Sequence, residues 1–246
     1  MINGDWSSDV CSSDLMLLVC IVCVDARADV VPAINPVATF HTPDGDDTGL
    51  SYTGSAPLTV TLSAGAADVG AYAAHYEWRF RKEGAHSPYL IRYDEDTEYT
   101  FVEAGTHIIE LYATFVLGTD TIAYTADYWA DATPITVSIS ESKLEMPNAF
   151  SPNGDGINDV YRAKSGCQSI VEFKATIFNR WGQKLYEWTD PAGGWDGKYK
   201  GRDVAQGVYF VLVKAKGADG RRFNIKSDVN LLRGYTETAA GGTEGL

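Results

Sequence analysis

The stretch VEFKATIFNRWGQKLYEWT, residues 171–189, decides the fold class of the C-terminal part of the chain. Apolar and polar residues alternate on both sides of NRWG, and this period of two is typical of a strand with one buried face. Asn179 and Gly182 within NRWG are turn residues. The sequence therefore predicts a β-hairpin. A second hairpin is predicted over residues 207–232, GVYFVLVKAKGADGRRFNIKSDVNLL, with its turn at Ala218, Asp219 and Gly220.

Short strand patterns also cover residues 37–142. They lie at 58–64, 76–80, 98–105, 107–116, 120–129 and 135–140, and Gly or Pro residues separate them. Short strands at this spacing are typical of a β-sandwich. We therefore predict an all-β fold with two β-sandwich domains in tandem, residues 29–142 and 145–235, followed by a flexible tail over 236–246.

Charge is distributed unevenly along the chain. The formal net charge is −13, which argues against nucleic acid as a partner of the whole chain. Residues 29–145 carry 5 basic and 18 acidic side chains, whereas residues 146–236 carry 14 basic and 9 acidic ones. The change of sign predicts a domain boundary near residue 145. It is explained either by two unrelated solvated surfaces or by electrostatic attraction between the halves or to a partner.

The N-terminal residues have the features of an export signal. MLLVCIVCV, residues 16–24, is too short to span a bilayer as a helix, so no transmembrane segment is predicted. We predict a signal peptide over 16–28, cleaved before Asp29; the alternative is a buried strand. Residues 1–15 contain no Lys or Arg and resemble translated sequencing-adapter DNA, so we expect this stretch to be an artefact. The mature chain then keeps only Cys167 and can form no internal disulfide.

Residues 29–142 resemble a PKD-like or immunoglobulin-like domain. The resemblance rests on SAPLTVTLSA (55–64), YEWRF (76–80) and EAGTHIIELYAT (103–114), the last of which matches a hairpin of that family. It implies an immunoglobulin-like sandwich with Trp78 as its buried anchor. Arg79 stands where the family usually carries Asp, so the resemblance implies no ligand site.

Residues 145–235 resemble the gliding motility-associated C-terminal domain, the type B sorting domain of the type IX secretion system. The motifs PNAFSPNGDGINDVY, IFNRWGQKLYEW, GGWDGKYKG, QGVYFVLV and VNLLR occur in one order. The resemblance implies a small β-sandwich that directs export through the translocon and its outer-membrane shuttle and barrel proteins. The implied sorting-signal residues are Pro152, Asn153, Gly154, Asp155, Gly156, Asn158, Asp159, Asn179, Arg180, Trp181, Gly182, Gly194, Trp195, Asp196 and Gly197. Two departures are Ser227-Asp228, where a Gly usually precedes the last strand, and the thirteen residues after Arg233.

The PNGDGIND loop allows two interpretations. As a tight turn, it uses Pro and Gly for backbone geometry, and its Asn and Asp side chains bond to nearby backbone. As a calcium site, it would offer side-chain oxygens from Asn153, Asp155, Asn158 and Asp159 and the carbonyl of Ile157. Calcium takes six to eight oxygens, so water or another loop would have to complete the shell. An EF-hand is excluded because Asn158 and Lys164 occupy its Gly and Glu positions. We therefore predict no cofactor, with calcium as the alternative.

Trp181 also has two interpretations, as a cap on the core or as an aromatic hot spot for a partner. Arg180 could pair with Asp196 and join the two loops.

The sequence lacks the motifs of the common enzyme classes. His41, His75, His86 and His107 do not have metal-ligand spacing, and no nucleophile or phosphate-loop motif occurs. We therefore expect a non-enzymatic protein, secreted or held at the outer membrane or cell surface after passage through the periplasm, with an adhesion or surface-structural role. Surface polysaccharide or another cell-surface protein is a candidate partner. The alternative is a calcium- or carbohydrate-binding module whose acidic loops, DGDD (44–47) and YDEDTEY (93–99), form the site.

Overall fold

Two β-sheets face each other in the N-terminal lobe, which we define as residues 31–142. They are seen in a computed structural model that describes residues 31–234. One sheet has the strand order β2-β1-β4-β7, and the other has β3-β10-β8-β5-β6 with β9 beside the end of β8. The elements are β1 Val37–Thr42, β2 Gly45–Gly49, β3 Ser51–Gly54, β4 Leu58–Ser63, β5 Ala73–Lys82, β6 Leu90–Arg92, β7 Asp96–Phe101, β8 Gly105–Leu117, β9 Asp120–Tyr124, α1 Ala126–Asp131 and β10 Ile135–Ile139.

Alternate side chains of both sheets form one apolar core. In β4 the residues Leu58, Val60 and Leu62 are buried, while the Thr residues between them are not, as a period of two requires. Trp78 is fully buried in this core. Its indole Nε1 donates to the carbonyls of Asp94 and Glu95, at 3.1 Å each. The prediction that Trp78 is the anchor of the sandwich is confirmed.

Two local predictions in this lobe are wrong. The strand predicted over 120–129 ends at Tyr124, and the short helix α1 follows. The helix is favoured because Trp129 caps the core while its indole donates to the carbonyl of Leu111 at 2.9 Å. The strand predicted over 98–105 ends at Phe101. The strand predicted over 107–116 is confirmed by β8, which has thirteen residues and pairs with β9 after Gly118.

The C-terminal lobe, residues 143–234, contains one five-stranded sheet. Its order is β11-β17-β16-β12-β13, so both predicted hairpins, β12–β13 and β16–β17, are confirmed. One face of the sheet is covered by loops that contribute Tyr161 and Trp195 to a second core, and the other face is exposed. The expected all-β fold with sandwich packing is confirmed. The strands are β11 Ala149–Phe150, β12 Ile170–Phe178, β13 Lys184–Trp188, β14 Lys198–Tyr199, β15 Arg202–Asp203, β16 Gly207–Gly217 and β17 Arg222–Leu231.

The turn of the β16–β17 hairpin inserts into the N-terminal lobe. Ala218 at its tip is buried and packs with the N-terminal core. The N–H of Ala104 donates to the carbonyl of Ala218 at 3.0 Å, and the N–H of Ala218 donates to the carbonyl of Ser169 at 2.9 Å. The hydroxyl of Ser169, itself almost fully buried, accepts from the N–H of Ala56 at 3.2 Å. Direct hydrogen bonds therefore join the two lobes.

The connection between the lobes is fixed to the same turn. The hydroxyl of Ser142 donates to Asp219 Oδ1 at 2.6 Å, and Arg221 Nη1 donates to the carbonyl of Ser142 at 3.4 Å. The hydrogen bond from Ser142 lowers the pKa of Asp219 below its usual range. Chain connection and hairpin turn thus form one hydrogen-bonded joint.

Three predictions fall outside the described residues: the artefact over 1–15, the signal peptide over 16–28 and the tail over 236–246. Within 31–234, no helix combines the length and apolar character needed to cross a membrane.

Candidate functional site

The PNGDGIND loop is held together by its own carboxylates. Asp159 Oδ1 accepts from the N–H groups of Asn153 at 2.9 Å and Gly154 at 2.7 Å, and its Oδ2 accepts from Gly156 at 2.8 Å. Asp155 Oδ1 accepts from the N–H of Ile157 at 2.8 Å. Gly154 and Gly156 both have φ of 85°, a left-handed conformation that Gly adopts without strain. The hydrogen bonds from Gly154 and Gly156 lower the pKa of Asp159.

These contacts favour the tight-turn interpretation of the loop. The carboxylates of Asp155 and Asp159 both point at N–H groups of the loop, so a cation would have to compete with those donors. Asn158 has φ of 52°, and its carbonyl accepts from the N–H of Ser151 at 2.9 Å. In residues 31–234, no three His, Cys, Asp or Glu side chains are grouped as a metal site would need. Calcium binding stays a prediction.

The NRWG turn presents its two large side chains to solvent. Asn179 Oδ1 accepts from the N–H groups of Trp181 and Gln183, both at 3.0 Å, and the N–H of Gly182 donates to the carbonyl of Asn179 at 2.9 Å. Trp181 is 76% exposed. The guanidinium carbon of Arg180 lies 4.5 Å from the centre of its ring. The prediction that Trp181 caps the core is wrong, because the turn extends beyond the end of the sheet.

Trp195 of the GWDG motif fills that end of the core instead. Its ring is fully buried, 5.4 Å from the ring of Phe150 and 5.1 Å from that of Tyr209. Its indole donates to the carbonyl of Lys198 at 2.7 Å. Gly194 allows this approach, since a Cβ there would lie 2.6 Å from the carbonyl oxygen of Tyr161. The GWDG motif therefore has a packing role.

The proposed ion pair between Arg180 and Asp196 does not form. Asp196 Oδ2 lies 3.3 Å from Lys198 Nζ, and Asp196 Oδ1 accepts from the N–H of Lys198 at 3.1 Å. Arg180 stacks on Trp181. Asp196 thus bonds within its own turn, to Lys198, and not to Arg180 of the NRWG turn.

Arg233 joins two of the motifs, a role that sequence reasoning missed. Its guanidinium donates to the carbonyls of Pro152 at 3.2 Å, Gly197 at 2.7 Å and Val204 at 3.1 Å, and it lies 3.4 Å from Asp203. The PNGDGIND loop and the GWDG turn are therefore tied together from the end of β17. The signal was present in the VNLLR motif, whose final Arg is this residue.

The acidic runs of the N-terminal lobe do not converge. DGDD lies at the start of β2 and YDEDTEY leads into β7, and these strands are the opposite edges of one sheet. Asp46 lies 2.8 Å from His41 Nδ1, and Asp96 accepts from the N–H of Ala64 at 3.1 Å. The two runs therefore cannot form one shared site.

Residues 144–227 match the family model of the CHU_C type IX secretion signal domain. This segment contains all the sorting-signal residues predicted above. The match supports export by the type IX secretion system and implies a secreted or cell-surface location. No curated protein is significantly similar to the chain. The PKD-like resemblance of residues 29–142 stays a prediction.

Proposed function

We propose that this is a non-enzymatic protein whose C-terminal lobe takes it to the cell surface, where the N-terminal lobe serves in adhesion or in surface structure. The proposal rests on the match of residues 144–227 to the family model of a type IX secretion signal domain. The presence of such a domain supports export of the chain by the type IX secretion system.

The hydrogen-bonded joint between the lobes is the structural observation that supports a role for the N-terminal lobe at the cell surface. Ala218 of the signal-bearing lobe belongs to the N-terminal core, and Ala104, Ser169 and Ser142 hydrogen-bond across the same joint. A cargo fixed to its signal domain in this way keeps one orientation relative to it. The interior of the N-terminal lobe is filled with apolar side chains, as expected of a scaffold that presents its surface.

Surface labelling of the full chain tests the export step. An epitope tag placed after Gly118, in the exposed β8–β9 turn, leaves both cores intact. In a type IX-competent host, antibody should label intact cells, and labelling should vanish when the translocon is deleted. Labelling that persists without the translocon, or tagged protein retained in the periplasm of the competent host, would refute the export step.

Deletion of the gene tests the surface role. Cells that lack the protein should attach less to a solid support or show an altered surface layer, and the tagged full chain should restore the wild-type state. A deletion strain with unchanged attachment and surface layer would refute this part of the proposal.

A further inference from the structure

The exposed face of the C-terminal sheet is built from rows of directly opposed residues on β12, β16 and β17. We call this surface, together with Arg180, Trp181, Lys184, Glu187 and Val208 beside it, the outer face. Its rows are Phe178–Phe210–Asp228, Thr176–Leu212–Lys226, Lys174–Lys214–Asn224 and Glu172–Lys216–Arg222.

One end of the outer face is apolar. Val208 is 50% exposed and Phe210 is 47% exposed. Phe178, Phe210 and Leu212 line a groove of about 420 Å³ together with Lys226 and neighbouring residues of β17. Exposed apolar residues that adjoin one another in this way mark interaction sites more often than residues scattered singly do.

The NRWG turn extends this apolar end. Phe178 is followed by Asn179, Arg180 and Trp181, and the hydrogen bonds of Asn179 hold the turn in one shape. Trp and Arg are among the residues enriched at interface hot spots. A turn that is already rigid loses little entropy when a partner binds.

The rest of the outer face is cationic. The whole outer face carries seven basic side chains and three acidic ones, a net charge of +4 in a chain of net charge −13. Glu187 lies near Lys174 at 3.1 Å and Lys184 at 3.5 Å, and Glu172 lies near Lys216 at 3.5 Å. Within the part of the chain that the structure describes, Lys214, Arg222 and Lys226 have no ion-pair partner. An acidic surface would therefore find unneutralised cations beside an apolar groove.

We propose that the outer face is the docking surface for a protein of the export machinery, and that this partner presents carboxylates around an apolar pocket that receives Trp181. The inference rests on the proposed function. It is favoured because the outer face lies almost wholly within residues 144–227, the segment that matches the type IX signal domain. Opposite charges raise the rate of association, while a buried aromatic anchor supplies most of the binding energy.

Export of full-length variants from a competent host tests the proposal. Trp181→Ala should weaken docking about 30-fold, the loss expected for a hot-spot residue, and slow the appearance of the chain at the cell surface. Lys226→Glu should have a smaller effect, because a charge at the rim acts mainly on the association rate. The matched controls are Tyr93→Ala, an aromatic residue 71% exposed on the N-terminal lobe, and Arg92→Glu, an exposed cation beside it.

A photo-crosslinking residue at position 214 identifies the partner. It should form an adduct with a component of the export machinery, and the adduct should be lost with the translocon deleted; the same residue at position 92 should form none. Face variants exported as fast as the two controls would overturn the inference, as would an adduct with a second copy of the chain or with polysaccharide. Wild-type chain that fails to reach the surface would instead refute the proposed function. Circular dichroism melting of each variant separates loss of docking from loss of folding.

Discussion

Close packing at the joint between the lobes predicts that a methyl group added at Gly217 lowers the free energy of unfolding. Gly217 is buried at the end of β16, with a φ outside the left-handed region, so Gly217→Ala adds volume without backbone strain. A Cβ at Gly217 would overlap the side chain of Ser142 and lie 2.6 Å from Asp219 Oδ1. Overpacking of this kind costs about 1–3 kcal/mol of the free energy of unfolding. The change should lower the midpoint of urea unfolding, followed by tryptophan fluorescence.

A control and a double-mutant cycle make this prediction refutable. A Cβ on Gly49 would meet nothing within 4 Å, so Gly49→Ala should change the free energy of unfolding by less than about 0.5 kcal/mol. Ser142→Gly removes the overlapping side chain, so in its background Gly217→Ala should cost about 1 kcal/mol less than in the wild type. If Gly217→Ala behaves like Gly49→Ala, or if the cycle gives no coupling, the chain connection does not pack against the hairpin turn as described.

Four further measurements test the assignments. Trp195→Ala should lower the free energy of unfolding by about 3–5 kcal/mol, because its ring is fully buried, whereas Trp181→Ala should change it by less than about 0.5 kcal/mol; similar values in urea titrations would contradict the two placements. Burial lowers the pKa of His107 below 6.5, so the unfolded ring takes up a proton at a higher pH than the folded one. The contribution of His107 to the free energy of unfolding is therefore fully present above pH 6.5 and is lost as the pH falls through the folded pKa. His107→Gln should make the melting temperature depend less on pH between pH 7 and 5. An unchanged dependence of the melting temperature on pH would refute this role. Asp159→Asn should speed amide hydrogen exchange at Gly154 and Gly156, measured by mass spectrometry, and unchanged rates would mean that the carboxylate does not hold the loop. Calcium should give no saturable thermal shift if the loop is a self-bonded turn, whereas a saturable shift that Asp159→Asn abolishes would establish the calcium site.

The hairpins and Trp78 could be predicted because their signals are local. Alternation along 171–189 fixes which side chains of β12 share a face, and no distant residue is needed to recognise the pattern. The helix α1 was missed because six residues are too few for a helical period to emerge next to the apolar pattern of β9.

Trp181 and Trp195 could not be told apart from sequence. Both lie in Gly-containing turns, and what separates them is contact with residues far along the chain, such as Phe150 and Tyr209 beside Trp195. Ser169 was missed for a similar reason. The partners of its hydroxyl, Ala56 and Ser140, precede it by 113 and 29 residues, and no local pattern marks it.

The insertion of Ala218 into the N-terminal core also determines how tension would pass through the molecule. A pull that separates the lobes would load the Ala104–Ala218 and Ser142–Asp219 hydrogen bonds at the same time as the covalent connection. The two lobes would therefore resist the force together, whereas lobes joined only by a flexible linker would first separate as the linker extends. A protein held at a surface under flow would transmit that load directly into the longest strands of its C-terminal sheet, β16 and β17.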